Sequence, residues 1–77
     1  MEPIEKKFAN AVKKRRKELR LSQEAFANAA GIHRTYASSI ERAKVQVSIN
    51  IAAQVAHALN LSLSELFARV ETDKTKS

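Results

Sequence analysis

The stretch Gln23-Glu24-Ala25-Phe26-Ala27-Asn28-Ala29-Ala30-Gly31-Ile32-His33-Arg34-Thr35-Tyr36-Ala37-Ser38-Ser39-Ile40-Glu41-Arg42 decides the fold. Its first half carries Phe26, Ala27 and Ala30 at helical spacing and ends on Gly31, the only glycine of the chain. A lone glycine just past a short apolar-periodic segment reads as a helix end in the left-handed conformation. The second half resumes a helical pattern with Tyr36, Ala37 and Ile40 turned inward. Two short helices joined by so tight a turn must cross steeply, and small Ala27, four residues before Gly31, lets their backbones approach. Ile32, Ala37 and Ile40 then lock the second helix, with Phe26 filling the space beneath.

The pattern extends outward on both sides. Upstream, Ile4, Phe8, Ala11, Val12 and Leu19 form an apolar stripe that predicts a first helix over residues 4 to 19. The run Lys13-Lys14-Arg15-Arg16-Lys17-Glu18 falls mostly on its other faces. Arg16, four residues beyond Val12 and three before Leu19, points partly inward. Ser22 is placed to cap the second helix. Downstream, Ala43 to Val47 reads as a loop, and Ser48 caps a fourth helix with Ile51, Ala52, Val55, Ala56 and Leu59 inside. Asn60 is a left-handed stop, and Ser62-Leu63-Ser64-Glu65 matches a capping box ahead of a fifth helix. The expectation is an all-α, compact five-helix domain over residues 1–71, with the steeply crossed pair at about 22–42 and a flexible polar tail at 72–77.

Composition agrees with that class. Of 77 residues, 44% are hydrophobic and only 5% aromatic, with one Gly, one Pro and no Cys, a profile that suits helices better than strands and turns. Without cysteine the chain has neither disulfides nor thiolate metal sites, in keeping with a reducing cytoplasm. No apolar run reaches the ~18 residues of a membrane span, and no signal-peptide core follows Met1. Lys and Arg number 14 against 8 Asp and Glu. The excess is confined: residues 1–44 hold 11 basic and 5 acidic residues, residues 45–77 three of each. One half is built to meet a polyanion. Paired carboxylates, a Gly-rich phosphate loop and clustered histidines are missing from the sequence, so no enzyme, cofactor, metal or small-molecule ligand is expected. His57 has no His, Cys or carboxylate three or four residues away to form a metal pair.

The pair of helices around Gly31 is a helix-turn-helix, whose second helix can enter the DNA major groove. Leu21-Ser22-Gln23-Glu24-Ala25-Phe26-Ala27, Gly31-Ile32 and Ile40-Glu41-Arg42 resemble the phage repressor/Cro-type helix-turn-helix family, with its lambda repressor-like DNA-binding domain. His33-Arg34-Thr35-Tyr36, Ser38, Ser48-Ile49 and Ala58-Leu59-Asn60 bring the likeness closer to controller proteins of bacterial restriction–modification systems. The resemblance covers roughly residues 6 to 67.

It implies a sequence-specific regulator that binds double-stranded DNA as a homodimer on an inverted-repeat operator, with RNA polymerase as a further partner. By position, His33, Arg34, Thr35, Ser38 and Ser39 would face base edges, and Arg34 could give guanine O6 and N7 two hydrogen bonds. Ser22, Gln23, Tyr36, Arg42, Lys44 and Lys17 would meet the DNA backbone. The family often pairs an arginine late in helix 1 with a glutamate ending helix 3, so Arg16 and Glu41 are expected to form a structural ion pair. It commonly has glycine after the Glu-Arg pair; Ala43 stands there instead, and helix 3 is expected to end differently or run longer. Leu61, Leu63, Leu66, Phe67 and Val70 are more apolar residues than one short helix needs, which predicts a dimer interface. The competing readings are an antitoxin-type or phage repressor-type regulator with a protein partner, and a basic amphipathic binder of membranes or RNA.

Overall fold

Local signals set both ends of nearly every helix. The computed structural model describes residues 3–72, and within them five α-helices follow one another: α1 (Ile4–Glu18), α2 (Gln23–Ala30), α3 (Arg34–Glu41), α4 (Ile49–Ala58) and α5 (Leu63–Glu71). Ser22, Ser48 and Ser62 each accept a hydrogen bond from the backbone N–H three residues on, satisfying one orphan donor of α2, α4 and α5. At α5 the box is closed, because Glu65 accepts from the Ser62 backbone N–H at 2.7 Å.

The first four helices end by one device. Arg20, Gly31, Ala43 and Asn60 have φ of +59°, +71°, +57° and +59°. The next residue's N–H then turns back onto the last turn: Leu21 to Arg16 O at 3.1 Å, Ile32 to Ala27 O at 3.0 Å, Lys44 to Ser39 O and Leu61 to Ala56 O at 2.9 Å. This corrects the expectation at Ala43: α3 stops at Glu41 and its terminus is left-handed without a glycine. The left-handed strain, about 1–2 kcal/mol for a residue with a Cβ, is offset there by hydrogen bonds to carbonyls that would otherwise be orphaned. Leu21, Ile32 and Leu61, which follow three of these turns, fold back against the core.

The core draws on every helix: Val12 from α1, Phe26 from α2, Ile40 from α3, Val55 from α4, Leu66 and Val70 from α5, with Leu59 at the α4 end. α1 packs on α5 and α3, and α2 on α3 and α4, so the two helices around Gly31 sit in a cradle made by the others. Two expectations are corrected here. Ile4, placed in the inner stripe of α1, is 59% exposed. Leu66 and Val70, placed between two copies, are 0% and 1% exposed within one chain, because α5 closes the protomer's own core. The tail expected at 72–77 lies, apart from Thr72, outside the described residues, as do Met1 and Glu2. No helix of the described residues is long and apolar enough to cross a membrane.

Candidate nucleic-acid interface

α3 buries Ala37, Ile40 and Glu41 and thereby turns its other side outward. Arg34 and Thr35 are exposed, with Ser38 and Ser39 half-buried beside them. Residues 34, 35 and 38 share one face of a helix by its 3.6-residue period. Just ahead of them His33 caps α3, its ring Nδ1 accepting from the Thr35 backbone N–H at 3.1 Å. The start of α2 lies alongside: Gln23, Arg34, Thr35 and Ser38 line one shallow polar depression of about 200 Å³. Residues as far as 15 positions apart, Gln23 and Ser38, are thus gathered by the Gly31 turn onto a single small surface. A helix of eight residues spans ~12 Å, a length the ~12 Å width of the B-DNA major groove admits.

The helix-turn-helix family model HTH_3 matches residues 12–66, which contain α2 and α3 and, of the scaffold helices, the whole of α4. The chain belongs to this helix-turn-helix family. Over 74 residues it is 43% identical to control protein C.MunI of Mycoplasma sp, covering 95% of this chain and all of that one. It is 38% identical over 66 residues to control protein C.SmaI of Serratia marcescens, covering 86% and 79%. Among solved structures it resembles the restriction–modification controller protein C.AhdI of Aeromonas hydrophila, with TM-score 0.79 and 33% identity over 82% of this chain and 96% of that one.

In this helix-turn-helix member the expected backbone-contacting residues are more dispersed. Arg42 and Lys44 are exposed just after α3, and Lys17 is exposed on the last turn of α1, none of them lining the depression. Tyr36 is half-buried and packs against the core. The Ser22 hydroxyl oxygen is engaged as the α2 cap, accepting from the Ala25 N–H at 3.0 Å.

Behind the outer face lies the ion pair. Arg16 donates from Nε to Glu41 Oε2 at 2.6 Å and from Nη2 to Oε1 at 3.0 Å, a two-pronged bridge between α1 and α3. Arg16 Nη1 donates to Leu21 O at 2.8 Å, fixing the turn into α2. Gln23 Nε2 donates to Glu41 Oε1 at 3.3 Å. Gln23 was expected to meet DNA; the structure also makes it the link between the buried carboxylate and the polar depression. No sequence signal marks that bond, since it joins residues 18 apart.

The basic run of α1 divides between two tasks. Arg15 donates from Nε to Leu59 O at 3.0 Å, tying α1 to the end of α4, and also bridges Glu18. Arg69 reaches the same Glu18 at 3.1 Å. The hydrogen bonds of Arg69 and then Arg15 hold the Glu18 carboxyl below the usual glutamate value. Lys13, Lys14 and Lys17 remain exposed.

A second surface was not anticipated as such. Among the described residues, the exposed large apolar ones are Ile4, Ile49 and Phe67, from α1, α4 and α5, and they border one cleft of about 300 Å³ with Phe8, Val45 and Val47 on its walls. The Phe8 and Phe67 rings stand 6.2 Å apart at 46°. Ile49 could have been found from the sequence, because it lies off the stripe of Ile51, Ala52, Val55 and Ala56. Among the described residues, no three His, Asp or Glu side chains are grouped so as to hold a metal ion.

Proposed function

We propose that the protein is a transcription regulator of the restriction–modification controller kind, acting without catalysis by occupying an operator in double-stranded DNA. The observation that carries this reading is the exposed, polar outer face of α3, abutting the start of α2 and backed by a buried ion pair. Arg34, Thr35, Ser38 and Ser39 read base edges, with His33 at their head. Gln23, Ser22 and Tyr36 on one flank and Arg42, Lys44 and Lys17 on the others meet phosphates. Phosphate contacts set register, whereas base contacts choose the sequence. The basic excess of residues 1–44 supplies the salt-dependent attraction.

Two copies bind together on an inverted repeat. One protomer, 32 Å in its longest dimension, offers a single α3, whereas half-sites one helical turn apart lie ~34 Å from each other. Exposed Phe67 and half-buried Leu61 and Leu63, with Ile4 and Ile49 nearby in kind, are apolar surface that a second copy would cover. The regulator works in the cytoplasm on the nucleoid, with RNA polymerase as the partner whose access it changes.

The test is selection from random-sequence duplex DNA at about 150 mM salt, where unspecific phosphate binding is weakened. Enrichment of an inverted repeat, lying upstream of a methyltransferase–endonuclease pair, is the expected result. A folded protein that enriches no sequence would overturn the reading and turn attention to a protein partner.

A further inference from the structure

We infer that His33 is a specificity-determining residue that donates from Nε2–H to the N7 atom of a purine. The inference rests on the DNA-reading role proposed above and adds the polarity of one contact to it.

The geometry at the head of α3 fixes which ring nitrogen holds the proton. His33 Nδ1 lies 3.1 Å from the Thr35 backbone nitrogen. A backbone N–H can only donate, so Nδ1 must accept and carries no hydrogen, and the single ring proton sits on Nε2. The cap therefore determines the tautomer. The serine caps of α2, α4 and α5 are short side chains that end at the capping atom itself. An imidazole caps with one nitrogen and carries its second on the far side of the ring, away from the backbone. His33 is exposed and leads directly into exposed Arg34 and Thr35. It thus serves twice: it satisfies an orphan N–H of α3, and it holds out a rigid donor beside the residues that face the bases.

A donor with no accepting alternative discriminates among bases. In the major groove guanine shows two acceptors, N7 and O6, and adenine an acceptor at N7, while cytosine shows only a donor and thymine an acceptor at O4 beside a methyl group. A lone Nε2–H is satisfied by a purine N7, best of all on guanine, whose neighbouring O6 also accepts; at thymine the methyl group crowds the approach to O4, and at cytosine the N–H faces another donor. In this tautomer the ring is uncharged, so the contact adds selectivity without adding to the salt dependence that lysine and arginine contribute.

His33→Ser separates the two tasks, because serine already caps α2, α4 and α5 of this chain yet ends at the capping oxygen, well short of where the imidazole Nε2–H stands. Both proteins are to be taken through selection from random duplex DNA at about 150 mM salt, after thermal unfolding confirms that the variant keeps its fold. The expected result is loss of a purine preference at one position in each half-site, by about 2- to 10-fold as suits one hydrogen bond, with the other positions unchanged. Replacing that purine by its 7-deaza analogue should weaken the wild-type protein by a similar factor and leave the variant indifferent. Long-range ¹H–¹⁵N spectra of the free protein should show Nε2 protonated and Nδ1 bare. A protonated Nδ1, a motif unchanged by His33→Ser, or a wild-type protein indifferent to 7-deazapurine would each overturn the assignment alone. A wild-type protein that enriches no motif would overturn the DNA-reading role, and this assignment with it.

Discussion

Arg16 and Glu41, 25 residues apart, meet through two hydrogen bonds of 2.6 and 3.0 Å that bolt α3 to α1. Glu41 is 5% exposed and is the one buried charged residue among those described. Three donors from two residues converge on its carboxylate, two from Arg16 and one from Gln23. The pair therefore does more than join two helices: it sets the angle at which the outer face of α3 is offered, and it reaches that face through Gln23.

Cutting either side chain back should strand its partner's charge in a site water hardly reaches. Arg16→Ala and Glu41→Ala are each expected to destabilise the domain by about 3–5 kcal/mol, a large share of the 5–15 kcal/mol typical of a small protein. Urea unfolding measures this directly. Replacing both together by Met and Leu should cost much less than the sum of the single changes. Additive losses would mean that the two groups are solvated independently.

Arg34→Ala should lower discrimination at one base pair of each half-site by about 1–3 kcal/mol while leaving most unspecific affinity in place. Lys17→Ala should do the reverse, weakening all duplexes alike and reducing the salt slope by about 1. Titrations on operator and scrambled DNA at several salt concentrations compare the two. Equal loss on both duplexes for Arg34→Ala would remove it from the base-reading set.

Ala43 sits at φ +57°, where a Cβ is strained. Ala43→Gly relieves that strain but gives the unfolded chain more freedom, so the net gain should be about 0.5–1 kcal/mol. For a domain of this size a gain of 1 kcal/mol raises the melting temperature by roughly 4–8 °C. Gly31→Ala, at φ +71°, should move it the opposite way although nothing crowds the new Cβ.

Acid should loosen α5 in a way that one substitution blocks. Hydrogen bonds from the Ser62 backbone and then its hydroxyl hold Glu65 below the ordinary value of 4.5. Because the folded value is the lower one, the stabilisation is complete above 4.5 and fades as pH falls through the depressed folded value. Glu65→Gln keeps the box, since glutamine also accepts from the Ser62 N–H, but has no proton to bind. Its stability should fall less between pH 5 and pH 2 than that of the parent, leaving the similarly depressed Glu18 among the remaining acid-sensitive groups.

The proposed dimer is best probed at the surface. Deleting α5 would remove Leu66 and Val70, which seal the protomer core, and the shortened chain would not fold. Phe67→Lys, at a residue 40% exposed, should instead leave the fold intact and shift sedimentation towards a monomer. Operator affinity should fall together with the loss of dimer. A folded, fully dimeric variant would exclude Phe67 from the interface.

What the sequence determined by itself is what depends on neighbours along the chain. Ser22, Ser48 and Ser62 start helices because a hydroxyl can reach an N–H three residues on, and Gly31 and Asn60 end them because both tolerate positive φ. The 3.6-residue period then assigns Phe26, Ala27, Ala37 and Ile40 to the inside, which leaves Arg34 and Thr35 outside. Even the inward lean of Arg16 follows from its spacing between Val12 and Leu19. Tertiary structure decided everything that requires knowing which helix lies opposite. Leu66 and Val70 look like surplus on an isolated α5 and become core only because α1 packs against that helix. Ile4 lies on the α1 stripe yet stays in solvent at the open rim of a cleft. The bond from Gln23 to Glu41 exists because the Gly31 turn folds the start of α2 back onto the end of α3. Helix ends and faces are local geometry, written in spacing; burial and partnership belong to the whole packed chain.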